Sequence, residues 1–200
     1  GSWINEANIP NLANVLPATI YAFKRETEGN ISAVPFDYGT TGIAYNRKYI
    51  SDDEAKQGAK ILWDEKYKGK IALYDGWQTR AWMGSIYTGQ DPQGATDTAA
   101  MWDACRKQRE LVVKYWGSGQ EFIDLMSKEE IILSDGWSGR VAALREAGQD
   151  IGFIDTANAG FAWLEGLMVL AGSPMPECEQ LLNFCIEPKV ALAIAEGQNY

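Results

Sequence analysis

Histidine is missing from all 200 residues of this sequence. Its absence removes the commonest general base, every Ser-His and Cys-His nucleophile pair, and the usual zinc ligand. Cysteine is scarce. Cys105, Cys178 and Cys185 form no CxxC, so neither a zinc site nor a thioredoxin-like motif is indicated. If the segment around 178–190 is helical, Cys178 and Cys185 stand about 10.5 Å apart along its axis, beyond the roughly 7 Å that a disulfide spans. Buried thiols acting as small hydrophobes are the expectation. No apolar run reaches the roughly 18 residues of a membrane-spanning helix. Basic charge is also short: 18 Lys and Arg face 27 Asp and Glu, for a net charge of −9. That balance argues against a phosphate-backbone partner, since nucleic-acid binders normally carry a basic face, whereas a negative field favours a cationic ligand.

What is present is a globular composition, 46% hydrophobic and 22% charged, in a length that suits one domain or two small lobes. The opening Gly1-Ser2, with no methionine, reads as a cloning scar or a cut fragment. Aromatic residues are abundant, with eight Trp, nine Tyr and six Phe. Many sit beside Gly, Asp or Arg rather than inside apolar runs, which suggests an aromatic site for a cation or a sugar.

The pattern of elements is α/β. A short helix is expected over Leu12–Phe23. A strand over 31–36 is interrupted at Tyr38-Gly39-Thr40-Thr41-Gly42 and resumes at 43–46. Ser51-Asp52-Asp53-Glu54 is a capping box that predicts a helix to about Glu65. A strand over 70–74 and a helix over 79–87 follow. The spacing of Trp102, Cys105, Val112 and Trp116 predicts one long amphipathic helix over 96–116. Then come a helix over 120–126, a strand over 131–133, a helix over 139–147, strands over 151–154 and 163–170, and helices over 177–186 and 188–195. This alternation predicts a mostly parallel sheet.

One local pattern occurs twice. Tyr74-Asp75-Gly76-Trp77-Gln78-Thr79-Arg80 is echoed by Ser134-Asp135-Gly136-Trp137-Ser138-Gly139-Arg140, each after a short apolar strand and opening a helix. In an open α/β sheet, ligands sit beyond the carboxyl ends of the strands, where helix N-termini also gather. Both turns are therefore expected to face one crevice, each offering a Trp, a carboxylate and an Arg. The plainer alternative is that Asp caps the helix, Gly serves the turn and Trp plugs the core. A third piece is Gly160-Phe161-Ala162-Trp163-Leu164-Glu165-Gly166. Trp163 and Glu165 point to the same side of a strand, and an indole beside a carboxylate suits an ammonium group.

At these residues the sequence resembles the spermidine/putrescine-binding proteins of bacterial ABC transporters, within the family 1 extracellular solute-binding proteins. The resemblance lies in Val34-Pro35-Phe36-Asp37-Tyr38-Gly39-Thr40-Thr41-Gly42-Ile43-Ala44-Tyr45-Asn46, in Leu62-Trp63-Asp64-Glu65-Lys66-Tyr67-Lys68-Gly69-Lys70-Ile71 and in Gly160-Phe161-Ala162-Trp163-Leu164-Glu165. It extends to Leu182-Asn183-Phe184-Cys185-Ile186-Glu187-Pro188 with Ala195-Glu196-Gly197-Gln198-Asn199-Tyr200. These stretches cover most of the chain in order. The resemblance implies a type II periplasmic-binding-protein-like clamshell of two lobes. Residues 44–153 would form a complete second lobe, and 1–43 with the return segment 154–200 a partial first lobe.

The resemblance also implies a non-catalytic receptor with no metal and no cofactor. It would take a small amine-bearing solute between its lobes and deliver it to ABC permease subunits from the periplasm, or from the cell surface as an anchored protein. Trp137 matches a tryptophan that stacks on the ligand's methylene chain. Trp163 and Glu165 match an indole–carboxylate pair that holds one amine, with Glu in place of Asp. Tyr200 matches a pocket tyrosine. Asp75, Trp77, Arg140 and Tyr38 complete the candidate ligand-binding set.

Two departures matter. At the first turn the family's acids are replaced by Gly76 and Thr79, leaving Asp75 as the nearest carboxylate. Arg140 stands where putrescine-binding members carry an acid, and a desolvated cation beside it would be repelled by several kcal/mol. A ligand with one amine and one anionic end, such as a γ-aminobutyrate-like, opine-like or aminophosphonate-like compound, suits Glu165 at one side and Arg80 or Arg140 at the other. Three alternatives remain open: a carbohydrate receptor of the same fold, a glycosidase using Asp75 and Asp135 as its carboxylate pair, and a fragment that binds nothing.

Overall fold

A computed structural model describes residues 3–25, 28–94 and 97–198. Two short 3-10 turns, Glu6–Asn8 and Pro10–Asn14, precede α1 (Pro17–Arg25) and the long strand β1 (Ala33–Asn46). Next come α2 (Asp52–Ala55), 3-10 turns at Gly58–Trp63 and Glu65–Tyr67, β2 (Ile71–Tyr74), α3 (Trp77–Tyr87) and α4 (Thr98–Gln108). They are followed by β3 (Val112–Trp116), α5 (Gly119–Ser127), β4 (Leu133–Trp137), α6 (Ser138–Glu146) and β5 (Ile151–Ile154). β6 (Phe161–Met168), α7 (Met175–Cys185) and α8 (Pro188–Gln198) complete the order. The chain divides into two compact units, residues 1–39 with 163–200, and residues 40–162, so β1 and β6 each run across a boundary.

The 40–162 unit is built on strands in the order β3-β2-β4-β1-β5. β2 runs parallel to β3 and β4, whereas β1 is antiparallel to both β4 and β5. The sheet is therefore mixed rather than mostly parallel. Strand direction depends on which edges meet across the sheet, and hydrophobic periodicity carries no record of that. Alternation along each strand feeds two cores. Ile43, Tyr45, Ile71 and Leu73 join Ile61, Leu62 and Met83 on one face. Ala44 and Ala72 join Trp116, Phe122, Met126, Val141 and Leu144 on the other.

Several expected elements changed. β1 is one continuous strand through Tyr38–Gly42, with β4 pairing it from Thr41 onward and β5 from Ile43 onward. The capping box is present: Ser51 Oγ accepts from Glu54 N–H at 3.2 Å, and the Glu54 carboxylate accepts from Ser51 N–H at 3.0 Å. Its helix nevertheless stops at Ala55. Gly58 follows at φ +63°, with the Asn158 carbonyl oxygen 2.3 Å from where a Cβ would stand. Only glycine fits that approach, and the chain continues in 3-10 turns. The long helix over 96–116 is in fact α4 ending at Gln108, followed by β3. Val112-Val113 and Tyr115-Trp116 are strand-favouring residues, and β2 supplies the parallel partner.

The other unit gathers Ile4, Ile9, Leu12, Ile31, Val34, Val169, Leu182 and Ile186 into its core. Glu179 on α7, almost wholly buried, accepts hydrogen bonds from Asn5 N–H at 2.8 Å and Asn8 Nδ2 at 2.6 Å. The helix expected over Leu12–Phe23 is a 3-10 turn followed by α1. Leu16, Leu170, Leu181, Phe184 and Leu192 are exposed.

Candidate ligand-binding site

Because β2 pairs with β4, the two Asp-Gly-Trp segments lie at neighbouring strand ends. They are not structurally equivalent. In the first, β2 ends at Tyr74 and Gly76 stands at the N-cap of α3. In the second, Asp135, Gly136 and Trp137 still belong to β4, and α6 starts at Ser138. That offset sends identical residues to different environments. Asp75 is exposed and Asp135 is fully buried. Trp77 is 68% exposed, and Trp137 is half-buried. Neither aspartate caps a helix, since Gly76 and Trp137 occupy the N-cap positions with no side-chain cap.

Asp135 is held from two sides. Its Oδ1 accepts from Tyr74 N–H at 2.7 Å, and its Oδ2 pairs with Arg80 Nη2. Burial pushes the Asp135 carboxyl up, against the opposing pull of the Arg80 guanidinium and the Tyr74 N–H. The Arg80 side chain is only 11% exposed, and its Nε and Nη1 are buried without a hydrogen-bond partner. Arg80 is therefore engaged inside the unit and does not serve as the anion-binding end expected for it. Arg140, half-buried on α6, lies over the start of α5: a Cβ on Gly119 would stand 2.6 Å from its Nε. Asp75 and Asp135 do not form a hydrolytic carboxylate pair, because Asp135 is sealed from solvent and already bonded.

Trp137 joins an aromatic cluster. Its ring centroid lies 5.1 Å from Tyr74 and 5.0 Å from Trp116, both edge-on, and Tyr74 and Trp116 are 4.8 Å apart. Trp116 Nε1 donates to Ser134 Oγ at 3.0 Å. Tyr74 and Trp116 were not among the expected site residues. Trp116 was hidden by the helical reading of 96–116, although Val112-Val113-Lys114-Tyr115-Trp116 carries a strand composition. In the other unit, β6 holds Trp163, half-buried, and Glu165, exposed, two residues apart on one strand. Tyr38, on the paired strand β1, is 62% exposed. Tyr200 lies outside the described residues.

Among the described residues no group of three or more His, Cys, Asp or Glu is placed to hold a metal ion. No helix among them is long and apolar enough to cross a membrane. All three cysteines are free thiols, with Cys105 buried. Burial pushes the Cys105 thiol up, which makes it an inert core residue.

A family profile described as bacterial extracellular solute-binding protein matches residues 4–200. The chain belongs to this family. Solved structures of similar fold include a protein of Listeria monocytogenes described as a spermidine/putrescine ABC transporter (TM-score 0.86, 21% identity, 100% of this chain and 61% of that one). Another is the spermidine/putrescine ABC transporter substrate-binding protein PotD of Streptococcus pneumoniae, crystallised with calcium and HEPES (TM-score 0.78, 19% identity, 100% and 61%). A third is AgtB of A. tumefaciens in complex with agropinic acid (TM-score 0.75, 16% identity, 98% and 58%). The chain spans about three fifths of the length of these family structures, and at such identities the likeness is one of fold.

Proposed function

We propose that this chain is part of the solute receptor of an ABC importer, working in the periplasm or at the cell surface with permease subunits as its partners. The solute is a small molecule bearing an amine. Residues 44–153 act as a complete lobe, and residues 1–43 with 154–200 as part of the other. The observation that carries the reading is the Trp163–Glu165 pair on β6, one half-buried indole and one exposed carboxylate on the same strand of a family fold. An ammonium group gains cation–π attraction from the one and a charge-assisted hydrogen bond from the other. Trp137, Trp77, Asp75, Tyr38, Arg140 and Tyr200 complete the proposed ligand set.

Two solved neighbours bear on the ligand's other end. The Streptococcus protein is a spermidine/putrescine receptor, and the A. tumefaciens protein was crystallised with agropinic acid. Arg80 is paired to Asp135, and in this reading Arg140 on α6 is the arginine that faces an anionic end. A thermal-shift panel of putrescine, spermidine, γ-aminobutyrate and 2-aminoethylphosphonate separates these readings. A ligand that binds the native state raises stability by RT ln(1 + [L]/Kd), about 2.7 kcal/mol at one hundred times Kd. A shift with the polyamines alone excludes the zwitterion reading, and a shift with the amino acids alone excludes the polyamine one. Trp163→Ala and Glu165→Gln should each weaken binding of the responding compound by about tenfold or more. Equal affinity for wild type and Glu165→Gln removes the assigned role.

A further inference from the structure

We infer that the Arg80–Asp135 ion pair is a positioning device for the aromatic strand ends of the 40–162 unit, rather than a source of stability. The inference deepens the receptor reading and rests on it for its binding consequence. One buried carboxylate joins three pieces of chain: β4, in which it sits two residues before Trp137; the end of β2, through Tyr74 N–H at 2.7 Å; and the first turn of α3, through Arg80. Those pieces carry Tyr74, Asp75, Trp77 and Trp137. The α3 contact is tight, because Arg80 N–H also donates to Gly76 O at 3.1 Å, one residue before Trp77.

As a stability element the arrangement is poor. Asp135 is fully buried, and Arg80 leaves Nε and Nη1 buried without hydrogen-bond partners. Desolvating both charges while satisfying only part of the guanidinium favours an apolar replacement of similar volume on energetic grounds alone. Geometry is what the pair provides. A carboxylate with one oxygen on a backbone N–H and the other on a guanidinium fixes the β2 end and the α3 start at one separation. It thereby sets the edge-on packing of Trp137 against Tyr74 and Trp116. A pair of apolar side chains fills the space without specifying direction.

The test is the double variant Arg80→Met/Asp135→Leu beside the single variant Asp135→Leu, in the whole chain. The single variant leaves a buried, unpaired guanidinium and is expected to lower the melting midpoint sharply. The double variant removes both buried charges but leaves Tyr74 N–H without its acceptor, so it is expected to melt well above the single variant while losing at least half of the near-ultraviolet circular dichroism of the Tyr74–Trp116–Trp137 cluster. That spectral arm needs no ligand. For whichever of putrescine, spermidine, γ-aminobutyrate and 2-aminoethylphosphonate binds wild type, the double variant is expected to show a Kd at least tenfold higher. A folded double variant with the wild-type spectrum overturns the inference, as does one that melts as low as the single variant. Wild-type protein that responds to none of the four compounds counts against the receptor reading alone, and the spectrum still decides the positioning role.

Discussion

The aromatic cluster allows a quantitative test centred on Trp116. This side chain is fully buried, with ring centroids of Tyr74, Phe122 and Trp137 at 4.8, 5.3 and 5.0 Å. Its Nε1–H donates to the hydroxyl of Ser134, also fully buried, at 3.0 Å. Trp116→Ala removes the indole from a packed core and should cost about 4 kcal/mol, the usual scale for a buried Trp or Phe. Trp116→Phe keeps an aromatic ring but loses the hydrogen bond and some volume, so about 2 kcal/mol is expected. Ser134→Ala orphans the indole N–H and should cost about 1–3 kcal/mol, although only one oxygen is deleted. Combining Trp116→Phe with Ser134→Ala removes both partners, so the double variant should lose about 1 kcal/mol less than the sum of the singles. Urea unfolding followed by far-ultraviolet circular dichroism measures all four proteins without relying on the deleted tryptophan's fluorescence. Additivity within about 0.3 kcal/mol would refute the hydrogen bond as a coupled, buried interaction.

Two further predictions follow from the packing. The Lys66 ammonium, assisted by Ser51, holds the Glu54 carboxyl down at about 2, from an ordinary 4.5. Its contribution is complete above pH 4.5 and is lost as the pH falls toward about 2, so Glu54→Gln should flatten the acid limb of the melting profile in that window. An unchanged limb rules out Glu54 as the titrating group. Gly160→Ala places a Cβ 2.0 Å from the Thr41 carbonyl oxygen, a clash with backbone that no side-chain rotation relieves. It also strains the Trp82 Nε1 hydrogen bond to Gly160 O at 3.2 Å, and a loss of about 1–3 kcal/mol is expected. A variant melting at the wild-type temperature would show that β6 starts elsewhere.

Local rules were readable where the local signal was strong. β2 and β5 fall at 71–74 and 151–154, as their short apolar runs imply, and the Ser51–Glu54 box forms with both of its hydrogen bonds. The last two helices, α7 and α8, and the helix after the first Asp-Gly-Trp lie within a few residues of their expected places. The failures share a cause. In 96–116 the apolar spacing fitted a helix throughout, but β2 offered its edge to Val112–Trp116 and the long-range pairing prevailed. In 51–65 the helix start was correct, but Asn158, a hundred residues away, occupies the space beside Gly58 and turns the chain.

The sequence by itself determined that these 200 residues offer no histidine and carry a net negative charge, and the family to which the chain belongs. It also marked the strand ends, because a repeated Asp-Gly-Trp after an apolar run is a local pattern. Only the tertiary structure decided what each copy does. The same three residues leave Asp75 and Trp77 open to solvent, yet seal Asp135 beneath Tyr74 and Arg80. The reason is that a side chain's partner across a sheet is set by strand pairing between residues sixty positions apart. Spacing along the chain reports which side of a strand a residue faces, not what waits for it there.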